Sequence, residues 1–211
     1  MVRLITFEGA DGTGKSTQIR ALESYLIQRG YSCVVTREPG GTALGKLIRK
    51  VLLEGEGHEI ASSTELFLYL ADRAQHVNDV ILPAIKAGKI VLCDRFTDST
   101  IAYQGYGRGI ELSLLRQLNH IADHGLRPDL TVLFDCPPLV GLARTAGRQS
   151  ETGRRQEDRF EREKMEFHEK VRAGFLEIAR AEPQRFRIID ATRSIEEVTL
   201  ALKKIIDQEI F

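Results

Sequence analysis

Leu4-Ile5-Thr6-Phe7-Glu8, followed by Gly9-Ala10-Asp11-Gly12-Thr13-Gly14-Lys15-Ser16-Thr17, decides how the rest of the chain is read. The second stretch satisfies G-x-x-x-x-G-K-[ST] at every constrained position. It lies between an apolar run that reads as a buried strand and a helical pattern that turns Ile19, Leu22 and Leu26 inward. Glycines at 9, 12 and 14 permit backbone conformations that a Cβ forbids, so consecutive N–H groups between Gly9 and Thr17 can point into one anion-sized hollow. The N-terminus of the following helix adds unpaired donors and the positive end of its dipole. Lys15 supplies a mobile positive charge for β- and γ-phosphates, and the Ser16 hydroxyl is placed for Mg²⁺.

The chain has 211 residues, enough for one α/β domain over 1–211 with a proper core. Thirty basic residues balance thirty acidic ones, which argues against a general nucleic-acid or membrane-surface protein. Cys33, Cys93 and Cys136 each sit in an apolar run and read as reduced core residues, not as disulfides or a zinc site. No signal peptide is legible at Met1-Val2-Arg3, and no apolar stretch approaches the ~20 residues of a membrane span. These features predict a soluble, intracellular, cytoplasmic protein.

Strand-like runs fall at about 2–8, 32–37, 89–94, 130–135 and 185–190. Helical patterns lie between them, which predicts a parallel sheet of about five strands covered by helices on both faces. The first helix is expected from Lys15 to about Arg29 with Gly30 as its stop, and a second over about 43–53. A third is expected over about 63–87, opened by a capping box from Ser62 to Glu65 and kinked or split at Pro83. A fourth covers about 112–124. The last opens at Ser194, with Glu197 three residues on.

A phosphate-binding loop fixes nucleotide binding but not the use made of the nucleotide. The chain lacks the N-K-x-D base-reading loop usual in GTPases, and instead carries unusual stretches after the second and third strands, where open parallel sheets bind ligands. These are Arg37-Glu38-Pro39-Gly40-Gly41-Thr42 and Asp94-Arg95-Phe96-Thr97-Asp98-Ser99-Thr100-Ile101-Ala102-Tyr103-Gln104-Gly105. Asp94 at a strand end can hold the water shell of Mg²⁺, and Arg95 offers a planar fork for phosphate; a local ion pair reads equally well. Tyr69 and Arg73 are four apart on the third helix and share a face. An aromatic ring there could stack on a base while a guanidinium bonds its carbonyl edge, or both could be ordinary helix surface. From Arg144 to about Arg162 the chain is charged throughout, as a solvated helix or loop would be, or as a mobile lid (about 144–160) that brings arginines over bound phosphates.

Taken together, F-E-G-x-D-G-x-G-K-S-T, R-E-P-G-G-T, A-D-R-A-Q-H and D-R-F-x-D-S-x-x-A-Y-Q-G, in this order, resemble the bacterial thymidylate kinase family. The likeness spans the chain and includes a closing D-A-x-x-S-x-E-x-V at 190–198. It implies a P-loop fold of the nucleoside-monophosphate-kinase type that transfers the γ-phosphate of ATP to dTMP with Mg²⁺. By that likeness Tyr69 stacks on thymine, Arg73 bonds the base's O4, and Thr100 and Gln104, with Ser99 beside them, read the N3 edge. Tyr103 crowds the sugar's 2′ position, while Arg95 and Arg49 meet the acceptor phosphate. Asp11 and Glu38 match carboxylates near the sugar and the metal–phosphate centre. Some members carry a catalytic arginine inside the P-loop and others in the lid; Gly12 at the P-loop position implies the lid-arginine type, with Arg148, Arg154 or Arg155 supplying the charge and Arg144 at the hinge near the nucleotide. Lys15 and Arg95 complete the catalytic set, and Ser16 with Asp94 the metal set. The family forms homodimers, and the apolar helices around 63–82 and 112–122 could supply the interface.

Other readings stay open on the residues alone: a kinase for another small molecule, or a P-loop regulator without an acceptor. His120 and His124 are spaced i, i+4 but lack a third ligand, so they do not read as a metal site. Asp135 ends the fourth strand before Pro137-Pro138 and reads as structural.

Overall fold

Leu4 turns toward one side of the first strand while Ile5 and Phe7 turn toward the other, and this period-2 alternation sets up two cores on either side of one sheet. The computed structural model describes residues 2–54, 59–152 and 159–210, and of 54 and 148–152 the backbone alone. The described residues form a five-stranded sheet in the order β2-β3-β1-β4-β5, with every pairing parallel. Its strands are β1 (Leu4–Glu8), β2 (Cys33–Arg37), β3 (Ile90–Asp94), β4 (Leu130–Asp135) and β5 (Phe186–Asp190). All five lie where the apolar runs predict them. Helices α1 (Lys15–Gln28) and α9 (Ile195–Ile210) cover one face, burying Ile19, Leu22, Leu26, Val198, Leu202 and Ile206 against Ile5, Phe7, Leu92 and Phe134. The other face is covered by α3 (Ser62–His76), α6 (Leu112–Ala122), α8 (Met165–Ala181) and the turns between them, with α2 (Ala43–Glu54) beside α3.

Several helix ends are set by local chemistry. Gly30 adopts φ 85 just past α1 and ends it as a left-handed cap. Ser194 and Glu197 form the expected reciprocal cap: the Glu197 N–H donates to Ser194 Oγ (3.2 Å) and the Ser194 N–H to Glu197 Oε2 (3.0 Å). The expected box at Ser62 and Glu65 does not form. Ala61 holds the N-cap position without a side-chain bond, and Glu65 turns inward, fully buried, because three cationic or amide donors claim its carboxylate. The strain expected at Pro83 is relieved upstream. The helix widens into a π turn (Val77–Ile81), in which the Leu82 N–H reaches the Val77 carbonyl, and resumes as α4 (Leu82–Lys86). His124 stands beyond the end of α6 at φ 54 and shares no helical face with His120.

The charged segment divides. Its first part continues α7 (Pro138–Thr152), and 159–164 form a turn before α8. Asp135, at the end of β4, takes a two-pronged bond from Arg172 (both 2.8 Å), in keeping with its structural reading. All three cysteines are free thiols; Cys93 and Cys136 are buried and Cys33 is half-buried.

The turn after β3 carries Arg95, Ser99, Thr100, Tyr103 and Gln104, and buried polar contacts hold it. Arg95 sits at φ 71, an uncommon conformation for a residue with a Cβ. Glu8, at the end of the adjacent β1, fixes the next four residues: it accepts the Phe96 N–H (2.8 Å) and the Ser99 hydroxyl (2.6 Å). The short α5 (Thr97–Thr100) then runs into a π turn (Ile101–Gly107). Arg185 braces α5 from the start of β5, donating to both Asp98 oxygens (2.7 Å each) and to Thr131 Oγ1 (2.7 Å), which in turn contacts Thr6 Oγ1 (2.8 Å).

Removing one partner of such a buried pair strands the other, so Asp98→Asn is expected to lower stability by about 3 kcal/mol in urea unfolding; a loss below about 1 kcal/mol would remove this brace from the account. Glu8 carries a pH signature. Burial, and then the Asp98 charge, raise its carboxyl from 4.5 to about 8 against the Ser99 bond, the Arg95 charge and the Phe96 bond. The folded protein therefore keeps a proton that the unfolded chain releases, so the contribution is full below the unfolded value and is lost as pH rises through about 8. Glu8→Gln cannot ionise. Its urea midpoint, relative to the parent's, should climb between about pH 5 and pH 9; a constant difference would mean that Glu8 does not titrate in that range.

Candidate active site

The loop between β1 and α1 wraps a hollow as the glycine spacing requires. Gly9 takes φ 131 and Gly12 φ 74, and a Cβ at either would collide with backbone, at Phe134 and Gly141 respectively. Gly12 is thus pressed against the first turn of α7. The buried Lys15 ammonium folds back onto the loop, donating to the carbonyls of Gly9 (2.9 Å) and Ala10 (2.8 Å) and to Thr13 Oγ1 (3.3 Å). Burial, then Arg95, pull it down to about 8 against Asp94, Asp11 and Glu8. Ser16 Oγ donates to Asp94 Oδ2 (3.0 Å), so the hydroxyl and the carboxylate at the end of β3 meet beside the hollow.

Across the loop Arg95 donates to Asp11 Oδ1 (2.6 Å), to the Gly9 carbonyl (3.0 Å) and to Ser99 Oγ (3.3 Å). Its guanidinium lies 5.1 Å from the ring centroid of Tyr103, whose hydroxyl donates to Asp11 Oδ2 (3.2 Å). Burial works to raise the Asp11 carboxyl, but Arg95 and Lys15 outweigh it and hold it down at about 2. Asp11 is thus a fixed negative charge that occupies the Arg95 fork.

A second cavity adjoins the hollow, lined by Tyr69, Arg73, Ser99, Thr100, Tyr103 and Gln104 with Leu53, Pro39, Phe96 and Phe160. The two cavities share Asp11, Glu38, Arg49 and Arg95 as their common wall. Arg73 is no helix-surface residue: it is 1% exposed. It donates to Glu38 Oε2 (2.8 Å), Thr100 Oγ1 (2.9 Å), the Phe96 carbonyl (3.1 Å) and Asn119 Oδ1. The neighbouring A-D-R-A-Q-H residues explain R-E-P-G-G-T. Asp72 accepts the Gly40 N–H (3.0 Å), and His76 bridges Glu38 Oε1 (2.9 Å) and Thr36 Oγ1 (2.6 Å). Arg49 closes that loop by donating to the Pro39 carbonyl (3.0 Å), after a cis Glu38–Pro39 bond.

The structure therefore brings the P-loop, Asp94, Arg95, Glu38, Arg49, Tyr69, Arg73 and Ser99 to Gln104 around two joined cavities. Arg144 stands apart from that wall. It donates to the carbonyls of Ala191 (2.7 Å) and Thr192 (3.4 Å), tying α7 to the loop after β5. Arg154 and Arg155 lie outside the described residues, as does the side chain of Arg148. Sequence reasoning misses Asn119, which steadies Arg73 from α6, and Phe160, which lines the second cavity from near the end of the charged segment. It also misses Thr145 and Glu161 at the P-loop hollow. None of these sits in a motif of its own; only the chain's path brings them in. The buried roles of Glu8, read only as the end of the first strand, and of Glu65, read as a helix cap, are missed as well.

The thymidylate kinase family model matches residues 7–201. A thymidylate kinase of Desulfovibrio desulfuricans is 53% identical over 204 residues, covering 96% of this chain and 94% of its own. One of Synechococcus sp. is 52% identical over 206 residues, covering 98% and 95%. The crystal structure of the thymidylate kinase from Ehrlichia chaffeensis superposes with a TM-score of 0.78 at 37% identity over 98% of both chains. With the family model matching most of the chain and relatives about half identical over nearly its full length, the chain belongs to the thymidylate kinase family.

Proposed function

We propose that the protein transfers the γ-phosphate of Mg-ATP to dTMP, giving dTDP and ADP for dTTP synthesis. The observation that carries this reading is the shared wall: a phosphate-binding hollow and an aromatic-lined cavity meet at Asp11, Glu38, Arg49 and Arg95. In-line transfer needs donor and acceptor phosphates face to face at such a junction. ATP phosphates occupy the P-loop N–H groups and draw Lys15 off its carbonyl partners. Ser16 and Asp94 offer hard oxygen donors that suit Mg²⁺, which takes few protein oxygens beside phosphate and water. When bound, Mg²⁺ would neutralise phosphate charge there.

The dTMP phosphate takes the Arg95 fork from Asp11, freeing that carboxylate for the sugar; the base stacks on Tyr69. Four N–H groups of Arg73 are engaged within the protein, and the fifth suits O4 of the base. The Tyr103 ring, held edge-on by Phe160 and Phe175, crowds the 2′ position and favours deoxyribose. The acceptor is a phosphate oxygen already largely ionised, so no strong base is required. Because Gly12 presses on Gly141, the P-loop has no room for an arginine there. Charge over the transferred group then comes from a lid spanning about 144–160, through Arg148, Arg154 or Arg155, with Arg144 at its hinge.

The protein acts in the cytoplasm; none of its described helices is long and apolar enough to cross a membrane. It works as a homodimer through the outer faces of α2, α3 and α6, which leave Leu47, Val51, Phe67, Leu114 and Ile121 exposed on three neighbouring helices. Sedimentation at micromolar concentration should give a dimer, and Phe67→Glu a monomer; a monomeric parent would refute this interface. ADP formation from Mg-ATP should be stimulated by dTMP far above dUMP, UMP, CMP, dAMP or thymidine. A different preferred acceptor would reassign the second cavity, and ATP binding without any stimulated turnover would make the protein a regulator.

A further inference from the structure

Glu65 is a fully buried carboxylate bonded to the cavity-lining Gln104, and the transfer reaction gives it no task. It lies one turn before Tyr69 and two before Arg73, on the same face of α3. Its side chain is fully buried. Oε2 accepts Arg108 Nη2 (3.2 Å) and Arg159 Nη2; Oε1 accepts Gln104 Nε2 (2.7 Å) and, more weakly, Arg108 Nε (3.4 Å). Arg159 also donates to the Leu52 carbonyl (3.2 Å), and Arg108 pairs with Glu163 (2.6 Å), so both cations are fixed from their other ends.

This arrangement decides which way round Gln104 stands. An amide can present either its NH₂ or its oxygen to a neighbour, and packing hardly distinguishes them. A carboxylate already paired with two guanidinium groups has only acceptors to offer, so the NH₂ must face Glu65. Gln104 Oε1 is left as the end available to the cavity that Gln104 lines, and no protein donor meets it among the described residues. An acceptor at that edge complements a ring N–H and opposes a ring nitrogen lone pair.

We propose that Glu65 is a specificity-determining positioning residue: by holding the Gln104 amide with its oxygen toward the ligand, it selects imide pyrimidines, which carry N3–H, over cytosine, which does not. The inference rests on the assignment of the base to this cavity. Glu65→Gln tests it with almost no change of shape. The new amide must turn its oxygen to Arg108 and Arg159, which only donate, and so present NH₂ to Gln104. Gln104 then inverts and points NH₂ into the cavity.

The expected result is a fall of about tenfold or more in the ratio of kcat/KM for dTMP over dCMP. A merely structural defect would lower both values in parallel. Arg159→Met, which removes a partner of Glu65 but leaves the bond to Gln104, should not move the ratio; if it moves it as far as Glu65→Gln does, displacement of the 159–164 turn is the cause and the proposal fails. The exchange Glu65→Gln with Gln104→Glu returns an acceptor to the cavity and should restore the preference for dTMP, and it carries the test if the single variant does not fold. An unchanged ratio in folded Glu65→Gln, or a lost preference in the exchanged pair, overturns the proposal. Gln104→Met separates the two levels: if it lowers dTMP use while Glu65→Gln leaves the ratio unchanged, only Glu65 is misassigned, whereas if it has no effect the base assignment falls as well.

Discussion

A guanidinium with almost no access to water is costly unless its donors find acceptors, and the buried Arg73 places four of its five by drawing four segments together. Glu38 comes from the loop after β2, the Phe96 carbonyl from the turn after β3, Thr100 from α5 and Asn119 from α6. The first three line the cavity that adjoins the P-loop hollow, and Asn119 steadies Arg73. Moving any one of them strands a charge-bearing partner, so the cavity's shape is fixed before a ligand arrives. Preorganisation of this kind is what positioning-based phosphoryl transfer requires of a protein.

Around that centre, carboxylates do more positioning than chemistry. Glu8 pins the strained turn that carries Arg95, Asp98 anchors α5 to Arg185, and Asp11 occupies the Arg95 fork. Glu38 joins Arg73 to His76, and Glu65 holds Gln104 while gathering Arg108 and Arg159. Glu8, Glu38, Glu65 and Asp98 are enclosed enough that each needs its partners, whereas Asp11 is partly open to solvent and can exchange its own.

Glycines contribute the complementary constraint. Gly9 and Gly12 let the P-loop backbone lie directly against β4 and α7, with no side chain between. That contact sets where α7 starts relative to the phosphates, and α7 leads into the charged segment. The same contact leaves no room for a side chain at position 12.

The sequence by itself determined the parts whose physics is local. Alternating apolar runs located β1 to β5, Gly30 and Ser194 marked helix ends, and the spacing from Gly9 to Thr17 specified a phosphate hollow, because backbone conformation and burial period are written within a few consecutive residues. It also marked Tyr69, Arg73, Arg95 and Gln104 as unusual. Only the tertiary structure decided that Arg73 is a buried hub and not helix surface, that Glu65 is a partner of Gln104 and not a helix cap, and that Asn119 and Phe160 belong to the site. Those roles depend on which oxygen or nitrogen lies within 3 Å or so of another from a distant segment, and spacing along the chain carries no record of that distance until the sheet has brought the segments together.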